Sequence, residues 1–92
     1  MVTFTITHEV KDFAEWKKGF DADETKRATA GVKLVSLYTA IENSNLVTAI
    51  FDAPNADVVK GMLSSPELQE SMKNAGVISA PDVKIMNRVQ NV

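Results

Sequence analysis

Residues 2–20, VTFTITHEVKDFAEWKKGF, change their period part-way along, and that change decides how the chain is read. Val2, Phe4 and Ile6 fall in one phase of a two-residue repeat, with Thr3, Thr5 and Thr7 in the other, as in a strand with one buried face. His8, the only histidine, arrives in the apolar phase. Beyond it the spacing lengthens, and Phe13, Trp16 and Phe20 recur every three or four residues, which stacks them on one face of a helix. Asp12 can cap that helix by accepting from the free amides of its first turn, and Glu15 can reach back three residues. A strand therefore runs straight into a helix with an aromatic face, and an imidazole stands at the junction.

The rest of the chain extends this beginning. The polar run DADETKRATA continues the helix, with a bend, until Gly31 ends it in the left-handed conformation. VKLVSLYTAI (32–41) and LVTAIFDA (46–53) are β-rich and are separated by ENSN, so they form a hairpin. After Pro54 and Asn55, ADVVKGMLSS carries an apolar stripe of Val58, Val59, Met62 and Leu63. Ser64, Ser65, Pro66 and Glu67 are a second helix start, with a Ser cap, Pro in the first turn and an acid at the positive end. The helical region is thus two pieces, the second with Leu68, Met72 and Ala75 on one face and Gly76 as its stop. DVKIMNRVQ (82–90) is a last strand with Val83, Ile85 and Val89 in phase. The order strand, helix, strand, strand, helix, strand over one domain of residues 1–92 predicts an α+β fold. It is a βαββαβ antiparallel four-stranded sheet with its helices on one face.

The hairpin strands bear on assembly. Leu46, Thr48 and Ile50 share one phase while Val47, Ala49, Phe51 and Ala53 share the other; Leu34 and Tyr38 lie opposite Val35, Leu37 and Ile41. An antiparallel sheet covered by helices on one side normally keeps its other side polar. Burying apolar surface is worth about 25 cal/mol per Å², and two helical segments cannot cover both faces, so a second copy's sheet is the expected cover. Exposed aliphatics on central strands are the simpler alternative. A chain of 92 residues buries only about 60–65% of its unfolded surface, so a partner subunit would supplement a thin core.

Composition removes several classes of function. Ten Lys and Arg scattered among twelve Asp and Glu give a net charge of −2 and no basic stripe, which argues against nucleic-acid binding. With no Cys there is no disulfide framework, thiolate metal site or thiol nucleophile. One His without neighbouring ligands makes no metal set, and no glycine-rich turn follows a strand to hold a flavin or nicotinamide, so no cofactor is expected. No apolar run reaches the roughly 20 residues of a membrane span, and no basic-then-apolar leader is seen; a cytoplasmic location without membrane partners is expected.

The element order, together with HEVKDFAEWKKGF, the small-residue junction RATAGV and the late SPELQESMKNAGV, resembles the ferredoxin-like dimeric α+β barrel superfamily along essentially the whole chain. That superfamily includes small uncharacterised bacterial proteins, antibiotic-biosynthesis-type monooxygenases, cyclases and haem-degrading enzymes. The resemblance implies a homodimer whose two sheets pack face to face, each subunit having a pocket between its own sheet and helices. The haem-degrading members use a helical His with Asn and Trp. Here His8 ends a strand and no helix carries a His, which departs from that chemistry.

Within this frame His8 is the candidate acid or base, its charge state set by burial and by neighbours such as Glu9 or Asp52; a strand-end histidine can equally cap carbonyls or meet solvent. Arg27 returns near the apolar face of the first helix and can bind an anionic ligand group, snorkel to water, or pair with Asp23. Trp16, Phe20, Phe51 and Met72, with Tyr38 as polar handle, either line an aromatic pocket or simply fill the core. Asp52, in phase with Ile50, is a candidate buried carboxylate or a strand-end hydrogen-bond acceptor. Two functions follow. One is a cofactor-free monooxygenase-, isomerase- or cyclase-like enzyme for an apolar or aromatic oxygen-bearing molecule; the other is a non-catalytic dimeric module without a ligand pocket.

Overall fold

The computed structural model describes residues 2–90. Its elements are β1 (Val2–Glu9), α1 (Phe13–Ala22), α2 (Glu24–Thr29), β2 (Lys33–Thr39), β3 (Leu46–Ala53), α3 (Ala56–Leu63), α4 (Pro66–Asn74) and β4 (Asp82–Met86). The four strands form one antiparallel sheet in the order β2-β3-β1-β4. This is the ferredoxin-like α+β arrangement that the element order predicted.

The two-residue repeat of β1 sets the layers. Phe4 lies opposite Phe51 and Ile85, Ile6 opposite Ala49 and Val83, and His8 opposite Val47. Directly opposed residues share a sheet face, so these side chains make the inner face, against which Phe20 of α1 and Val58, Val59, Met62 and Leu63 of α3 pack. Phe4, Val47, Ala53 and Val59 are wholly buried. Thr3, Thr5 and Thr7 point to the other face, which no helix covers, opposite Asp52, Ile50 and Thr48.

Local chemistry fixes the first helix. Asp12 is the N-cap and accepts from the Glu15 amide at 3.1 Å, whereas Glu15 turns its own carboxylate to Lys18 instead of reaching back. The hairpin turn reinforces the cap: Asn45 Oδ1 accepts from the Phe13 amide at 3.0 Å, and the Val10 amide donates to the Asn45 carbonyl at 2.8 Å. The bend falls at Asp23, where the helix breaks into α1 and α2. Gly31 closes α2 at φ +78°, and a Cβ there would come within 2.9 Å of Pro54 Cγ, so the position requires glycine. The second helical region is in two pieces as expected, with Asn55 capping α3 by accepting from Val58 and Pro66 opening α4. Ser65 makes no side-chain cap there.

Two expectations are corrected. The last strand stops at Met86 and does not run to residue 90. Met86 pairs with Thr3, one residue from the start of β1, so the chain beyond has no strand to bond to, and Val89 is 96% exposed. In β2 the simple alternation fails because a bulge lies between Leu34 and Ser36: Leu34 pairs with Phe51 and Leu37 with Ala49, so three steps on β2 match two on β3. The extra residue, Val35, is thrown outward at 51% exposure, and the phase beyond it is inverted. Leu34 and Leu37 therefore share the inner face, and Tyr38, opposite Thr48, lies on the outer one.

Because Phe4 is buried in the centre of the inner face and stacked on Phe51 at 4.9 Å, Phe4→Ala is expected to cost about 3–5 kcal/mol. A urea unfolding midpoint little different from wild type would show that this face is not the principal core.

Candidate functional site

The helices do not close completely on the inner face. Between the sheet and all four helices lies a cavity of ≈220 Å³. Its floor is Phe4, Ile6, His8, Ala49 and Phe51; its walls include Trp16, Phe20 and Arg27 on one side and Met62, Leu68 and Met72 on the other. For scale, a dry apolar cavity of about 150 Å³ holds benzene, so this space suits a one- or two-ring molecule.

An aromatic row runs along the first wall. Trp16 stacks on Phe20 at 4.7 Å between centroids, and Phe20 lies 6.1 Å from Phe51. His8 meets the other side of Trp16 edge-on, at 5.6 Å and 79°. Spacings of three and four along α1 and of two along β1 and β3 place these rings on facing surfaces, and the Asn45 brace on α1 keeps Trp16 over His8.

His8 is 6% exposed, and its Nδ1 is fully buried without a hydrogen-bond partner among the described residues. A buried polar atom left unpaired typically costs about 1–3 kcal/mol. Burial pushes the imidazole pKa below its usual value, favouring the neutral ring. Neither neighbour considered from the sequence alters this. Glu9 faces the other way along the strand and accepts from Asn43, and Asp52 lies on the outer face.

Arg27 lies across the far end of the row. Its guanidinium carbon sits 4.0 Å over the Phe20 ring centroid, and Nη1 donates to the Phe20 carbonyl at 2.9 Å. Desolvation lowers its pKa, while Asp23, Glu24 and Asp21 act in the opposite sense; a guanidinium stays charged throughout. It neither snorkels free of the wall nor forms an ion pair with Asp23, which lies 3.9 Å from Lys26 instead.

Of the residues singled out from the sequence, His8, Trp16, Phe20, Arg27, Phe51 and Met72 come together around the cavity, and Tyr38 does not. The bulge in β2 turns Tyr38 outward, where it is 56% exposed. Asp52 is likewise no cavity carboxylate: it accepts from Thr3 Oγ1 at 2.8 Å and from Arg88 Nη2 at 3.1 Å on the outer face. Phe4, Ile6, Met62 and Leu68 were not anticipated as site residues. Phe4 and Ile6 share the phase of His8, and Leu68 lies one helical turn before Met72, so periodicity alone held the signal. Among the described residues no three His, Cys, Asp or Glu side chains converge to hold a metal.

The fold is the ferredoxin-like α+β arrangement also seen in antibiotic biosynthesis monooxygenase structures. SnoaB, a cofactor-independent oxygenase from Streptomyces nogalater, superposes with a TM-score of 0.74 at 18% identity, over 99% of this chain and 95% of that one. A Bordetella bronchiseptica protein assigned to the antibiotic biosynthesis monooxygenases gives 0.78 at 20% identity, over 97% of both chains. A conserved protein from Methanosarcina mazei gives 0.70 at 11%, over 95% of this chain and 91% of that one. At these identities the likeness is one of fold. No family model matches the chain, and no curated protein matches it. No helix among the described residues is long and apolar enough to cross a membrane.

The burial of His8 has a measurable consequence. As pH falls, the unfolded chain takes up the imidazole proton near 6.5 while the folded one takes it up only at lower pH. The unfolded state thus binds more protons, and stability is lost below that pH. Thermal unfolding at about pH 7.5 and about pH 5.5 should show a larger fall for wild type than for His8→Phe. Equal falls would mean that the imidazole is not desolvated.

Proposed function

We propose that this chain binds an apolar or aromatic, oxygen-bearing small molecule between its sheet and its helices and acts on it as a cofactor-free, monooxygenase-like enzyme. It works as a single-domain homodimer in the cytoplasm. One observation carries the reading: the only histidine of the chain lies at the floor of an apolar cavity, its pKa lowered by burial and one ring nitrogen unpaired among the described residues. A core has no use for such a group, whereas a reaction beginning with proton removal does. The shared fold of a cofactor-independent oxygenase adds support.

In this reading His8 accepts a proton from an activated C–H of the substrate, and Arg27 orients an oxygen at the other end. Trp16, Phe20, Phe51 and Met72 hold the carbon skeleton away from water. The deprotonated carbon donates electrons to dioxygen, and a methylene becomes a carbonyl with release of water: RH2 + O2 gives R=O + H2O. The substrate supplies all four electrons, so the balance closes without another reductant. Isomerisation or cyclisation would begin with the same proton transfer. A dimeric module without a pocket is the weaker reading, because the helices stand off the inner face around a polar residue.

The homodimer rests on the outer face. Ile50 is central there, with Tyr38, Leu46 and Met86 around it at intermediate to high exposure. Sheet-to-sheet packing of two copies would cover them. Native mass spectrometry should record a dimer for wild type and a monomer for Ile50→Arg; a wild-type monomer would remove the dimer from this proposal.

A meta-dihydroxynaphthalene has a keto tautomer with an acidic methylene and matches the cavity in size, so it is a suitable first substrate. Wild-type protein should consume oxygen with it and release a hydroxynaphthoquinone. His8→Gln should lower the rate by about 100-fold or more while leaving binding nearly unchanged. Binding without oxygen uptake would leave a binding protein and set aside the oxygenase.

A further inference from the structure

Two of the polar groups lining the cavity, His8 and Arg27, stand at opposite ends of its aromatic wall, with Asp23, Lys26, Ser65, Glu67 and Ser71 also around it. His8, neutral and almost wholly buried, is at one end of the row Trp16–Phe20. At the other, Arg27 lies over Phe20 with a full positive charge. A guanidinium carries five N–H donors, and among the described residues the side chain's only acceptor is the Phe20 carbonyl. Its place over Phe20 and its bond to the Phe20 carbonyl hold the guanidinium against the wall with further donors to spare.

Asp21, Asp23 and Glu24 lie near enough to act on that charge, but none pairs with it directly among the described residues. Asp23 is drawn towards Lys26 at 3.9 Å, and Glu67 at the rim is solvent-exposed in the first turn of α4. Neither carboxylate forms an ion pair with the guanidinium among the described residues. Ser65, Glu67 and Leu68 bring the start of α4 to the same part of the cavity. Ser65 does not cap that helix with its side chain, and Glu67 in its first turn offsets the positive end of α4.

We infer that the ligand is a one- or two-ring aromatic anion, with its carboxylate or phenolate on Arg27 and a neutral hydroxyl or carbonyl at His8. This inference rests on the cavity being a ligand site and adds the charge, size and direction of what it takes. The volume of ≈220 Å³ sets the ring count. The row Trp16–Phe20 selects a flat skeleton, and with His8 neutral the negative group falls to the cationic end, where Lys26 also lines the cavity beside Arg27.

The test compares 6-hydroxy-2-naphthoate with its primary amide, which keeps the shape and removes the charge. Trp16 is the only tryptophan, so its single indole N–H resonance reports occupancy of the cavity in an NMR titration. The acid should bind about tenfold or more tightly than the amide. Arg27→Gln should erase that preference while leaving amide binding within about twofold, and Arg27→Lys should restore part of it. Equal binding of acid and amide to wild type would overturn the charge assignment and leave the pocket standing. Loss of both ligands to the same degree in Arg27→Gln would make Arg27 a wall residue and overturn it as well. If neither compound shifts the indole resonance and purified protein retains no small molecule in native mass spectrometry, the pocket reading fails and this inference fails with it.

Discussion

The register of β1 is the constraint on which the rest depends. This strand is bonded on both edges, to β3 and to β4, and its side chains alternate strictly between the two faces of the sheet. A slip of one residue would exchange Phe4, Ile6 and His8 for Thr3, Thr5 and Thr7. The helices would then face hydroxyls, the stack of Phe4 on Phe51 would be lost, and the imidazole would leave Trp16 for the opposite side of the sheet. Core and candidate site are therefore specified by the same alternation, and neither can be kept without the other.

That coupling explains what could be read from the sequence. A two-residue repeat turning into spacings of three and four survives burial, so β1, α1, the hairpin, the divided second helical region and the order of elements along the chain were all legible. Residues whose position follows from unbroken periodicity, such as His8, Trp16, Phe20 and Phe51, were legible as neighbours. Tyr38 was not, because the bulge between Leu34 and Ser36 inverts the phase of β2 and nothing in KLVSLYT marks it: there is no glycine, and either phase of the run is apolar enough. The end of β4 was hidden for a different reason. Its length is set by where β1 begins, which is a property of the partner strand.

The pairing of Asp52 with Thr3 and Arg88 shows the same limit from another side. In sequence these residues are 49 and 36 positions apart, and only the β1–β3 register brings Thr3 opposite Asp52. A carboxylate read alone looks like a candidate catalytic group; read with its donors it is an anchor on the uncovered face. His8 shows the opposite pattern. Its row of neighbours could be named, but that its Nδ1 would find no hydrogen-bond partner among the described residues was visible only once the helices were in place.

The cavity itself is the feature hardest to explain as packing. Space left in a core costs roughly 24 cal/mol per Å³ in truncation series, and Met62, Leu68 and Met72 are flexible side chains able to fill gaps. They line the space instead of closing it. α1 is tied to the hairpin turn at its start by the Asn45 brace, and Gly19 comes so close to the end of α4 that an added Cβ would stand 3.4 Å from that of Ala75. The helices thus meet each other at one end and pack on the sheet through Phe20 and Val59, leaving the cavity between those contacts. The close approach of Gly19 to Ala75 brings the two walls together at that end, and β1 determines what the floor presents. A domain this small has no layer to spare for a separate site, so its site is the part of its own core that those two contacts keep open.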